Sequence, residues 1–210
     1  MKHLNLYITE YIIKKKLDKP IDSEYHCKYF PETKEELIKN IKELLDKEET
    51  NLNCIDTSEI TDMTSLFDSG NYNKTLDNID ISKWDVSKVK HMSGMFAGYE
   101  NFNCDLSNWD VSNVTNMAFM FYNCRNFNCN LSNWDVSNVI NMKYMFENCK
   151  KFNCNLSKWD VSNVTNMKYM FQNCENFKAK DLDKWNVSNV KNMEYMFDNC
   201  MKLKKIPSWY

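Results

Sequence analysis

The stretch NLSNWDVSNVINMKYMFENC, residues 130–149, combines tryptophan, tyrosine, phenylalanine, methionine and cysteine side chains with many asparagines and serines. Its Trp134 recurs at nearly constant spacing: tryptophans lie at positions 84, 109, 134, 159 and 185, in steps of 25, 25, 25 and 26 residues. A fixed period of roughly 20 to 50 residues is typical of proteins built from stacked repeats. The aromatic and sulfur-containing side chains therefore belong to a repeat unit and do not form a local binding site.

A less regular copy precedes the first of these tryptophans. The segment DTSEITDMTSLF, residues 56–67, aligns with DVSKVKHMSGMF, residues 85–96, which brings the number of copies to six. The first and last copies are the least regular, as a stacked array requires because its ends face water. A repeat of 25 residues also lies within the range of roughly 20 to 29 residues that leucine-rich coils use.

Each regular copy reads L-x-x-W-x-V followed by S-N-V-x-N-M-x-x-M-F-x-N-C. The alternation in W-x-V predicts a short strand with one buried face. The apolar residues that follow are spaced by 3, 3, 1 and 3 positions, which favours a helical or 3₁₀ return; in one copy they are Val114, Met117, Met120, Phe121 and Cys124. We therefore predict an α/β repeat solenoid: a leucine-rich-repeat-like right-handed coil of six units, with one short parallel strand per coil, short helical returns and an N-terminal helical cap.

These repeats resemble those of the BspA-like leucine-rich repeat proteins, whose units read LSxWDVSNVTNMxxMFxxC. The resemblance covers residues 54 to about 200, and every element of the motif recurs at fixed spacing. Members of that family are often bacterial surface proteins that adhere to host or matrix proteins. The resemblance implies a repeat scaffold that presents a surface, and it carries over no catalytic residue.

The chain is predicted to contain three regions. They are an N-terminal helical cap or attachment region, the six-coil solenoid and a C-terminal cap, at residues 1–50, 51–200 and 201–210. Helical spacing over residues 4–12 predicts a first helix, and the capping-box pair Thr33 and Glu36 predicts a second over about 34–47. We expect the second helix to seal the first coil. The first helix either joins that cap or is a docking segment, so self-association through residues 1–17 stays open.

Charge and hydropathy exclude two classes of partner. With 27 basic and 29 acidic residues the formal net charge is −2, so the basic stripe needed for nucleic acid binding is not expected. No apolar run approaches the roughly 18 residues of a transmembrane helix. The first 20 residues lack a classical signal peptide, because Asn5, Thr9 and Glu10 interrupt the apolar run and lysines follow it. We expect a cytoplasmic location, or carriage within a particle.

The nine cysteines favour packing over chemistry. Seven of them fall in two columns, Cys124, Cys149, Cys174 and Cys200, and Cys104, Cys129 and Cys154. Zinc sites favour C-x₂-C pairs, which these columns lack, and although disulfides are conceivable we expect buried thiols. His26 lies beside Cys27, but sequence neighbours do not create the geometry of a catalytic pair. We therefore expect neither an enzyme nor a cofactor.

The residues flanking Trp and Val should point outward and form a polar face. Its first column is Lys83, Asn108, Asn133, Lys158 and Lys184; its second is Asp85, Asp110, Asp135, Asp160 and Asn186. A serine follows each member of the second column after one residue. Three interpretations of the aspartates stay open: local Asx turns with the backbone, binding of a basic or polar partner, or calcium binding.

We predict a non-enzymatic protein–protein interaction module that presents this polar face to another protein, whose identity the sequence does not reveal. The alternative is a structural component of a larger assembly, such as a virion or a surface layer, docked through the N-terminal helix.

Overall fold

The computed structural model describes residues 28–67, 71–72 and 78–210. Within these residues, helical structure is confined to one α-helix, α1 (Lys34–Asp46), and one 3₁₀ turn (Leu182–Lys184). The helix predicted over residues 4–12 lies outside the described residues.

Helix α1 confirms the prediction for residues 34–47. The Thr33 side chain accepts a hydrogen bond from the Glu36 amide at 3.2 Å, and the Glu36 carboxylate accepts one from the Glu32 amide at 2.8 Å. The first bond satisfies an amide of the first helical turn, which has no partner within the helix, and the second holds the residue just before the N-cap residue Thr33. The buried face of α1 consists of Leu37, Ile41, Leu44 and Leu45. This face joins the continuous core of the repeats, so α1 covers the N-terminal end of the core.

The repeats stack on one another as layers. Single parallel bridges join one residue of each layer to its counterpart in the next, through Asp62, His91, Asn116, Asn141, Asn166 and Asn192. The six copies recognised in the sequence are therefore six successive layers of one stack.

The prediction of one parallel strand per coil is wrong. The β-type pairing between layers consists of isolated bridges, and the W-x-V segments form no strand within the described residues. The Trp109 amide closes a turn onto the Leu106 carbonyl at 3.1 Å, and the Val114 amide closes another onto the Val111 carbonyl at 2.9 Å. Two turns in such close succession leave no room for a strand of typical length, about five residues.

The predicted helical return is also wrong, because this segment carries the hydrogen bonds between layers. In one layer, the amides that donate to carbonyls of the next layer at 2.9–3.0 Å belong to Met117, Phe119, Phe121 and Asn123. The amides between them close turns within the layer. Phe119 and Asn123 have φ of 59° and 60°, a left-handed conformation that interrupts a right-handed helix. The fold is a stack of layers built from turns, and the leucine-rich-repeat-like α/β coil is not observed.

The core is a set of parallel columns of side chains. The longest column contains stacked rings 5.4–5.8 Å apart, from Phe67, Phe96, Phe121, Phe146, Phe171 and Phe197. A second column 5.7–6.1 Å apart contains Phe102, Phe127, Phe152 and Phe177. Four of the six layers thus bury two phenylalanines each, and the first and last layers contribute one to the longer column, which makes the interior continuous along the stack.

The tryptophans occupy equivalent places in successive layers. Each indole N–H donates to a backbone carbonyl of the preceding layer; for Trp134 the acceptor is Leu106 at 2.9 Å. Trp209, which the sequence analysis left unassigned, makes the same bond to Leu182 at 2.8 Å and stacks on Trp185 at 6.2 Å. The residues assigned to a C-terminal cap therefore extend the tryptophan column by one place.

The described cysteines are thiols packed in the core or along its edge. None of the eight forms a disulfide. The thiols of the first column donate at 2.9–3.1 Å to phenylalanine carbonyls of the preceding layer. Burial raises the pKa of the Cys129 thiol to about 11 and that of Cys200 to about 12, so both stay protonated at neutral pH.

Candidate interaction face

All ten residues of the polar face are exposed. They alternate with a tryptophan and a valine that are buried in every regular layer, as Trp109 and Val111 show with exposures of 4% and 1%; in the last layer Val187 is only partly buried. The alternation results from consecutive turns, because no strand forms here. The face is therefore a regular double row of polar side chains along the stack.

Asx turns hold the aspartate column in place. In each regular layer the Asp Oδ1 atom accepts the amide N–H of the serine two residues later at 3.0 Å. Asn186 makes the same bond to the Ser188 amide at 3.2 Å, so an amide side chain serves as well as a carboxylate. The hydrogen bonds from the Ser162 hydroxyl and amide lower the pKa of Asp160 below its usual value. The local Asx-turn interpretation of this column is thus observed.

The carboxylates of the face keep their negative charge unpaired. Six ion pairs occur among the described residues, and none of them includes Asp85, Asp110, Asp135 or Asp160. At a layer spacing near that of the phenylalanine column, 5.4–5.8 Å, each adjacent pair of carboxylates repels by about 0.8 kcal/mol in water. A positively charged partner would relieve this repulsion.

Side-chain amides fix the spacing between layers next to the face. Each donates from Nδ2 to a serine carbonyl of the preceding layer at 2.7–2.8 Å; the donors are Asn113, Asn138, Asn163 and Asn189. These carbonyls belong to the serines whose amides close the Asx turns. The same serines therefore close the turn within a layer and accept the hydrogen bond from the next layer. The face is consequently preorganised.

The described residues contain no candidate metal centre. No group of three or more His, Cys, Asp or Glu side chains in residues 28–67, 71–72 and 78–210 is arranged to hold a metal ion. The pair His26 and Cys27 lies outside this range, and His91 takes part in the column of bridges.

A second regular surface, which the sequence analysis missed, is a row of stacked aromatic rings. Its members are Phe119, Tyr144, Tyr169 and Tyr195, with centroids 4.6–5.1 Å apart. All have φ of 56–59°, a conformation that turns their side chains out of the core. The Nζ atoms of Lys143 and Lys168 lie 5.3 and 5.1 Å from the centroids of Phe119 and Tyr169. The recurring M-x-[F/Y]-M pattern is the signal in the sequence, but the apolar spacing of each copy points to the methionines and to the phenylalanine after them, and not to this aromatic residue.

The Oε2 atom of Glu147 is buried without a hydrogen-bond partner, and it is the one glutamate oxygen of this kind among the described residues. Burial raises the pKa of its carboxyl group above the usual value of 4.5. A raised pKa means that the folded state holds the proton more tightly than the unfolded state. The contribution of this group to stability is therefore fully present below pH 4.5 and is lost as the pH rises through the folded pKa.

We expect Glu147→Gln to raise the melting temperature at pH 7 and to leave it nearly unchanged at about pH 3.5, because the variant removes only the cost of the buried charge. Gln172 occupies the equivalent place in the next layer, so glutamine fits the site. Thermal unfolding of both proteins at the two pH values is the measurement. A stabilisation of equal size at both pH values would contradict the ionisation argument.

No helix among the described residues is both long and apolar enough to span a bilayer. No curated protein and no solved structure matches the chain. One family model matches it twice, over residues 35–151 and 129–210, and the overlapping matches follow the repeats. Together they cover residues 35–210, which include helix α1 except its first residue and all six layers. The chain therefore belongs to the family described as "Mycoplasma protein of unknown function, DUF285".

Proposed function

We propose that the protein is a non-enzymatic recognition module whose polar face binds another protein. The observation that carries the proposal is the aspartate column, in which four exposed carboxylates stand at a regular spacing without ion-pair partners. Each carboxylate accepts the hydrogen bond of its Asx turn, but its charge has no ion-pair partner within the described part of the stack. These charges suit a partner that presents lysine or arginine side chains.

The rigidity of the face supports the same function. Serine amides donate hydrogen bonds to each aspartate, and asparagine side chains donate to the carbonyl of a serine in the preceding layer. A preorganised surface loses little conformational entropy on binding, so more of the contact energy appears as affinity. The lysines and asparagines of the first column would add hydrogen-bond donors beside the carboxylates and make the face selective for a mixed polar partner.

The resemblance to BspA-like leucine-rich repeat proteins, many of which adhere to other proteins, also supports recognition, although the layers of this chain consist of turns. A cytoplasmic or particle-borne location stays a prediction. The structural alternative, docking into an assembly through residues 1–17, also stays a prediction because those residues lie outside the described part.

The test is a triple variant, Asp110→Asn, Asp135→Asn and Asp160→Asn. Since Asn186 forms the same turn, we expect the variant to keep its melting temperature within a few degrees while losing the charges of the face. A pull-down with the purified protein as bait should capture a partner that the triple variant fails to capture.

A matched control removes three carboxylates elsewhere, by Glu59→Gln, Glu100→Gln and Glu175→Gln, and should still capture that partner. A second control, Asp135→Ala, removes the turn as well as the charge and should cost about 1 kcal/mol of stability, as loss of a comparable side-chain cap does. Identical capture by the wild type and the triple variant would refute the proposal.

A further inference from the structure

The row of stacked aromatic rings stops inside the stack, at Phe119. The preceding layer, which contains His91, has Gly94 at the equivalent place. The Gly94 amide donates to the Ala118 carbonyl at 2.8 Å. The Phe119 amide makes the corresponding bond to the Lys143 carbonyl at 2.9 Å. Gly94 therefore occupies a position of the row but supplies no ring to it.

The backbone does not require glycine at this position. Gly94 has φ of 64°, and Phe119 and Tyr144 adopt the same left-handed conformation with φ of 59°. A Cβ atom added to Gly94 would meet the Ser65 Oγ atom at 3.3 Å. Because this atom ends a short side chain, a small rotation relieves the contact. A side chain is thus sterically possible here, and its absence opens a space beside Phe119.

The free face of the Phe119 ring borders this space. The opposite face stacks on Tyr144, in the following layer, with centroids 4.6 Å apart and an interplanar angle of 7°. Tyr122 lies at 74° to the ring, and the Lys143 Nζ atom, 5.3 Å from its centroid, comes from the layer of Tyr144. Among the described residues, no ring stacks on the face of Phe119 that is directed toward the second layer.

The width of the space suits one aromatic ring. Ser65 holds the equivalent position in the first layer, so two steps of the row separate it from Phe119. Each step between rings of the row is 4.6–5.1 Å. A ring at the intermediate position would therefore lie at stacking distance from Phe119. The row itself shows what fills such a position, namely a phenylalanine or tyrosine ring.

The other side chains on this surface of the second layer are also small. Ser93, Ala97 and Gly98 stand where the fourth layer has a lysine, a glutamate and an asparagine. Gly98 is exposed, and a Cβ atom added to it would have no neighbouring atom within 4 Å. The backbone of a bound chain can therefore approach this layer closely. We call the space bordered by Ser65, Gly94, Gly98 and Phe119 the row gap.

We propose that the row gap binds one phenylalanine or tyrosine side chain of another protein. The ring stacks on the free face of Phe119 and continues the row, while the backbone of the partner passes over the small side chains of the second layer. One ring buries too little surface to bind tightly by itself, so contacts from the flanking backbone must add to the affinity. The row gap shares no residue with the polar face, and each site can exist without the other.

The probes are p-cresol, which carries the tyrosine ring without a backbone, and a blocked pentapeptide of sequence Gly-Gly-Tyr-Gly-Gly. Binding is measured by NMR on the full-length protein. We expect both probes at millimolar concentration to shift the resonances of Gly94, Gly98 and Phe119. The pentapeptide should bind at least about threefold more tightly than p-cresol because its backbone adds contacts. A peptide with leucine in place of tyrosine should bind roughly 3- to 10-fold more weakly, as loss of aromatic stacking predicts.

Four variants test the two parts of the site. Gly94→Tyr supplies the missing ring and should abolish the shifts at Phe119. Phe119→Leu removes the aromatic wall but keeps an apolar side chain, and it should weaken both probes roughly 3- to 10-fold. Gly98→Asn should weaken the pentapeptide and leave p-cresol unaffected. The matched control, Tyr169→Ala, removes a ring away from the gap and should leave the binding of both probes unchanged.

Three results would overturn the proposal. The first is an absence of localised shifts at the row gap with both probes, or equal binding of the tyrosine and leucine peptides. The second is equal affinity for p-cresol and the pentapeptide, which would identify a free aromatic compound as the occupant. The third is a shift of the Gly94 resonance that appears without any probe as the protein concentration rises, which would identify a second copy of the chain.

Discussion

Replacement of Trp134 with alanine lowers the free energy of unfolding by about 3 to 5 kcal/mol, as truncation of a large buried side chain does. The indole is 4% exposed and packs against the Phe121 ring at 6.4 Å. Its N–H donates to the Leu106 carbonyl at 2.9 Å, so the variant loses core volume together with a bond between layers. Urea unfolding followed by circular dichroism measures the effect without depending on tryptophan fluorescence.

Two further variants divide this loss into its parts. Trp134→Phe keeps an aromatic ring but removes the indole donor, so the Leu106 carbonyl retains only its bond from the Trp109 amide. We expect loss of the bond between layers to cost about 0.5 to 1.5 kcal/mol. Trp209→Ala removes the equivalent bond at the end of the stack, where the side chain is only half-buried, and should cost less than Trp134→Ala. If the two alanine variants lost equal stability, burial between two layers would not be the source of the effect.

The repeat period was predictable because the same side chains must return to the same columns. The tryptophan spacing identified the layers, and Thr33 with Glu36 identified α1. The internal structure of a layer was not predictable from the same pattern. Residues three apart, such as Met117 and Met120, occur in a helical turn and also at the two ends of a β-turn. The φ values that decide between them, 59° at Phe119 for example, belong to residue types that seldom adopt them.

The polar face was predictable for a local reason. A D-x-S segment forms its Asx turn without distant contacts, so the exposure of Asp135 and its bond to the Ser137 amide follow from the motif. The aromatic row depends on left-handed backbone at Tyr144 and its counterparts, which composition does not reveal. Trp209 was missed because it follows Trp185 by 24 residues, a step shorter than the others, and lies in the segment assigned to a C-terminal cap.

Deletion of one complete repeat should preserve the fold, whereas deletion of half a repeat should abolish it. Removal of residues 130–154 joins Cys129 to Asn155, which recreates the junction between Cys129 and Asn130. The amides of the layer at Asn116 would then donate to the layer at Asn166, since every layer presents carbonyls in the same register. Nearest-neighbour stacking predicts cooperative unfolding at a lower melting temperature, because one interface between layers is lost.

The matched half-repeat deletion removes residues 130–142 and joins Cys129 to Lys143. It places the Asn-Met segment of one layer over the Asx turns of the next layer. Phenylalanines then meet polar side chains, and the amides that donate between layers lose their acceptors. We expect this protein to show no cooperative transition by circular dichroism and calorimetry. Equal stability of the two deletions would mean that contacts within a layer, and not the register between layers, hold the protein together. If only the 25-residue deletion folds cooperatively, the hydrogen bonds and ring columns between layers set the architecture. The complete deletion restores these contacts, whereas the half-repeat deletion destroys them.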